Sequence, residues 1–89
     1  MSVCFLTREE FSFLRRHPEI NDGERRLLEW QYGCASDFYG RLMSAISYAD
    51  EDNLARIELG FPKEAQAYRD FAYTGQLGRK VEQILNKKN

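Results

Sequence analysis

Histidine, cysteine and clustered carboxylates are the side chains from which a small protein builds a nucleophile, a general base or a metal site. This chain has one histidine and two cysteines in 89 residues. His17 stands before Pro18 at what reads as a helix end, where a solvated or helix-capping imidazole is the ordinary outcome. Nucleophilic catalysis needs a base within hydrogen-bond reach and a third group to orient that base. Neither Cys4 nor Cys34 has such a partner nearby, and neither lies in a CxxC or beside a histidine, so metal-ligand spacing is absent too. Buried thiols in a reducing compartment are the expectation. The acidic run Asp50, Glu51, Asp52, Asn53 invites comparison with a calcium loop, which requires oxygen ligands at positions 1, 3 and 5, glycine at 6 and glutamate at 12. Counting from Asp50 puts Leu54 and Ala55 at the fifth and sixth places, so the run reads as a helix start. The sequence therefore predicts no enzyme, no catalytic residue, no cofactor and no metal.

What remains is binding chemistry. Fourteen acidic against thirteen basic residues give a formal charge of −1, so no global field draws the chain toward phosphate or an anionic membrane. No run approaches the roughly 18 apolar residues of a membrane span, and the start MSVCFLTREEF lacks the basic region of a secretory signal. A cytoplasmic protein is expected. The stretch from Leu54 to Tyr73 has the spacing of a helix-turn-helix, which makes a small DNA-binding regulator the alternative reading. A recognition helix offers basic and amide side chains at its N-terminal end. Here that end reads Lys63, Glu64, Ala65, Gln66, which makes nucleic acid an unpromising partner. Arg25 and Arg26 read as a solvated face, Arg25 being one helical turn from Glu29.

The side chains best suited to a protein partner lie in the first half of the chain. Trp30, Asp37, Arg41 and Tyr48 include the residue types enriched at binding hot spots, with Asp37 and Arg41 at ion-pair spacing. Ser36, Gly40, Ser44 and Ser47 form a run of small residues that would admit another backbone, either inside the fold or across a homodimer seam. Each group has a plainer use as core.

These residues need an element to position them, and the pattern predicts one long helix over Asn21–Ala49. Leu27, Leu28, Gln31, Tyr32, Ala35, Phe38, Tyr39, Leu42, Ile46 and Ala49 share one broad face at 3.6 residues per turn. Gly23, Gly33 and Gly40 would each cost about 1 kcal/mol inside such a helix, a cost that close packing usually offsets. Before it, Thr7 and Glu10 form a capping box, Leu6 and Phe11 a hydrophobic staple, and Pro18 ends a first helix that buries Phe11 and Leu14. Asn21 with Glu24 makes a second capping box, Asp22 being another possible cap. After it come a short helix with Leu54, Ile57 and Phe61, closed by Gly60; a helix started by Pro62 with Ala65, Tyr68, Phe71 and Ala72; and a last one over Gln76–Lys87 carrying Leu77, Val81, Ile84 and Leu85. No segment alternates as a strand does.

The strings RRLLEWQYGCASDFYGRLMSAISYAD and NLARIELGFPKEAQAYRDF resemble short helical proteins of unassigned function encoded by temperate phages and prophages. That resemblance implies no catalytic motif and carries no residue role over. It implies action by binding a host or phage protein. The expectation is thus a single all-α domain spanning residues 1–89, four to five helices around one long central helix. Its expected role is that of a non-enzymatic interaction module that binds itself or another protein.

Overall fold

Local capping signals divide the chain into helices, and the first is the clearest. The structure, a computed structural model, describes residues 6–88, side chain 88 excepted, so Cys4 lies outside the described residues. In α1 (Arg8–Arg16) the Thr7 hydroxyl accepts from the Glu10 N–H and the Glu10 carboxylate accepts from the Thr7 N–H, satisfying two otherwise orphaned donors. Leu6 and Phe11 are both buried in the core, as the staple requires. His17, ahead of Pro18, closes the helix with its N–H on the Leu14 carbonyl.

The predicted spine is not one helix. It is two, α2 (Asp22–Tyr32) and α3 (Asp37–Tyr48), separated by a short linker. Asn21 and Glu24 make the expected capping box at the start of α2. At its end Gly33 takes φ 87°, the left-handed region, and the N–H groups of Gly33 and Cys34 return to the carbonyls of Trp30 and Glu29. This is a Schellman closure, which a residue with a Cβ resists. Three residues on, the Ser36 hydroxyl accepts from the Tyr39 N–H and starts α3. Gly33 and Ser36 therefore act as a stop and a start, not as close-packing positions within a helix. Because the linker resets the helical phase, the expected broad face dissolves: Leu27, Leu28 and Ile46 are buried, while Phe38 is exposed and Met43 takes a core place.

Three further helices follow. Asp50 caps α4 (Glu51–Gly60), its carboxylate accepting from the Asn53 N–H at 2.8 Å, so the acidic run is a helix start as anticipated. Gly60 belongs to the last turn of α4 and does not terminate it; Phe61 alone joins α4 to α5 (Pro62–Ala72), with Pro62 at the first helical position. Arg69 of α5 ties back to α4 through Glu51 at 2.8 Å and Glu58 at 3.5 Å. Those bonds, the Glu51 hydrogen bond foremost, hold its guanidinium protonated above the ordinary arginine range. α6 (Gln76–Lys88) buries Leu77, Val81, Ile84 and Leu85, the stripe its sequence predicts.

The fold is all-helical over the described residues, with six helices instead of four or five. Its centre is a crossing of two helices. α2 and α5 make the most extensive contact; α1 and α3 pack on α2, α4 and α6 on α5, and α1 also reaches α6. Gly23 marks the crossing, since a Cβ there would run into the Lys63 carbonyl. Two carboxylates are buried beside it. Glu24 takes both oxygens to Lys80 Nζ, at 2.8 and 3.0 Å, while still capping α2; Glu64 accepts from Arg26 at 3.4 Å. Carboxylates this deeply enclosed persist because each has a cationic partner. No described helix is long and apolar enough to cross a membrane.

Candidate functional site

Of the four side chains singled out for a protein partner, three stand in solvent on α3 and one turns inward. Asp37, Arg41 and Tyr48 follow one another at helical spacing, opposite the buried Met43 and Ile46. Tyr48 is 89% exposed, the most exposed large apolar side chain among the described residues, and Phe38, a third of a turn away, is 58% exposed. The expected Asp37–Arg41 ion pair does not form; both groups face water separately. Trp30 is half-buried and its indole N–H donates to the Ser44 hydroxyl at 3.2 Å, which pins α2 to α3.

The small-residue run is engaged within the chain. Ser36 caps α3, Ser44 accepts from Trp30, and the Ser47 hydroxyl donates to the Ser44 carbonyl at 2.6 Å. A Cβ on Gly40 would only touch that of Ala35, at 3.7 Å, so nothing in the chain demands glycine there. Arg25 and Glu29 do not pair with each other either. Arg25 holds Asp22 at 2.7 Å, and Glu29 holds Arg15 of α1 at 2.8 Å.

Sequence reasoning overlooked the aromatic collar at the foot of α3. Phe38 meets Tyr39 edge-on at 5.0 Å and leans on Phe61 at the α4–α5 joint, 5.9 Å between centroids. The inner ring, Tyr39, receives the Arg26 guanidinium on its face at 3.7 Å, and Arg26 in turn holds Glu64. Phe38 thus touches two rings yet is open to water. The adjacent aromatic residues at 38 and 39, one facing out and one in, were the available signal; a helix read as closed on nearly every side concealed it.

His17 caps α1, with its Nδ1 accepting from the Glu19 N–H at 3.2 Å. Cys34, expected to be buried, is exposed in the α2–α3 linker, since the break at Gly33 carries it out of the core. Among the described residues no three His, Cys, Asp or Glu side chains are grouped as a metal site would need. In the N-terminal turn of α5, which a recognition helix would insert into a DNA groove, the Lys63 backbone abuts Gly23 of α2 and Glu64 and Ala65 are buried, while Pro62, Lys63 and Gln66 are exposed. No family model matches the chain, and no curated protein or solved structure is significantly similar to it.

Proposed function

We propose that this chain is a non-enzymatic protein-interaction module that binds through the outward face of α3, to a second copy of itself or to another cytoplasmic protein. One observation carries the reading: Phe38 and Tyr48 stand largely in water on the same helix, with the unpaired guanidinium of Arg41 between them. Aromatic rings bury large areas and arginine offers a fork of donors, and both types are enriched where binding energy concentrates. The resemblance to small phage-encoded proteins makes a phage or host protein the partner to look for first.

Light scattering over a range of concentrations tests the first arm. If the partner is a second copy, the mass rises with concentration and Phe38→Ser/Tyr48→Ser returns it to the monomer with its circular dichroism unchanged. If the chain stays monomeric, a photoreactive phenylalanine at position 48 crosslinks a discrete protein in cells, and the same group at exposed Gln83 does not. A monomer that crosslinks nothing from position 48, or equally from both positions, defeats the proposal.

A further inference from the structure

A second surface lies on the other side of α2, where α1 leaves a hollowed strip of unbalanced positive charge. Two adjoining hollows of about 360 and 340 Å³ share Ser12 and Arg15. Around them stand four guanidinium groups, Arg8, Arg15, Arg16 and Arg25, against one carboxylate, Glu29. In a chain of formal charge −1 this is a local reversal of sign. Arg15 is held by Glu29 and Arg25 by Asp22, whereas Arg8 and Arg16 have no ion-pair partner among the described residues. The floor is firm, because Phe11 stacks on Tyr32 with ring centroids 4.2 Å apart and planes 2° from parallel, and Arg15 lies over Phe11.

We infer that this strip is a docking site for an acidic peptide segment of another protein, one that sets its carboxylates on Arg8 and Arg16 and its backbone along α1. The charge supplies the complement, and guanidinium groups favour forked bonds to carboxylates. Size agrees: from Arg8 to Arg16 the helix rises about 12 Å, the reach of roughly four extended residues. A nucleic acid fits less well. A phosphate backbone extends well beyond so short a strip, and the chain as a whole, at formal charge −1, offers it no attractive field. A second copy fits poorly too. In its most acidic run Asp50 is spent capping α4 and Glu51 on Arg69, which leaves Asp52. The site shares no residue with the α3 face and stands or falls separately from it.

Fluorescence anisotropy decides the matter with three labelled probes: a short peptide rich in Glu and Asp, its Gln and Asn counterpart, and a short DNA duplex. The acidic peptide is expected to bind, more weakly as salt rises. Arg8→Gln/Arg16→Gln, changes at exposed and unpaired positions, is expected to weaken it roughly tenfold or more. Arg41→Gln on α3 should leave it unchanged. The inference is overturned if the acidic peptide does not bind, if the amide peptide binds as well, if the duplex binds more tightly, or if Arg41→Gln weakens binding as much as the double change.

Discussion

α2 and α3 are neighbours in sequence and similar in length, yet they use their side chains in opposite ways. α2 buries Gly23, Glu24, Leu27 and Leu28, and its polar atoms are met from three sides: Lys80 from α6, Glu64 from α5 and Arg15 from α1. α3 buries only Met43 and Ile46 and leaves Phe38, Arg41 and Tyr48 in water. A helix enclosed by partners spends its chemistry on the fold, whereas one packed along a single side keeps chemistry for something else. The difference makes α2 the place where substitutions should cost stability; under the proposed function, α3 is the place where they should cost binding.

The sharpest way to break this contrast is Gly23→Ala. In an exposed helix alanine is favoured over glycine by about 1 kcal/mol. Here the added methyl meets the Lys63 backbone, so α2 and α5 must part where the core is tightest. Overpacking against a main chain cannot be relieved by a rotamer change, and a net loss of about 3 kcal/mol is expected. In a chain of this size that lowers the melting temperature by about 15 °C, readable by circular dichroism. A variant as stable as the parent would mean that the crossing is looser than drawn.

Next comes Glu24→Gln. The amide keeps an oxygen for the Asn21 N–H but gives Lys80 no charge to meet, and bonds to charged groups are worth about 1.5 to 3 kcal/mol. A loss of about 2 kcal/mol in urea unfolding is expected. Adding Lys80→Met should cost little more, because the interaction it removes has already gone. If the two changes were simply additive, the carboxylate and the ammonium would not be coupled, and α6 would be fastened by its apolar stripe alone.

These two positions also show what was legible beforehand. The capping boxes at Thr7 and Asn21, the caps and proline at Asp50 and Pro62, and the stripe of α6 are local signals, complete within a few residues, and each appears in the structure where its pattern puts it. Nothing local marks Glu24 or Glu64 as buried, because their cationic partners lie 56 and 38 residues away. No local pattern carries that information. The two-helix nature of the supposed spine was hidden for another reason. Glycine serves both close approach and left-handed turns, and serine both small-residue packing and helix capping. Gly23 has the first use and Gly33 the second; a shared apolar period across residues 27–46 made both look alike. At the candidate site, the order of Asp37, Arg41 and Tyr48 along one face could be read from spacing alone, but the inward turn of Trp30 depended on the bend that brings Ser44 to it.

Gly33→Ala tests the boundary between the two helices directly, with the smallest expected effect of the three. Alanine at φ 87° places its Cβ against the following carbonyl, at a cost of roughly 1 to 2 kcal/mol, while its helix propensity rewards continuing α2 straight on. Continuing would carry Ser36 away from the cap of α3, break the Trp30–Ser44 bond and lift Met43 and Ile46 out of the core. Removing two buried apolar side chains from contact outweighs one residue's propensity, since each contributes roughly 1.5 to 3 kcal/mol. The bend should therefore persist under strain: stability falls by about 1 kcal/mol, helical ellipticity is unchanged, and Trp30 fluorescence keeps its position. Increased ellipticity with a red-shifted tryptophan would show that α2 and α3 had fused. The division between an enclosed helix and an open one would then rest on a single glycine instead of on the core beneath it.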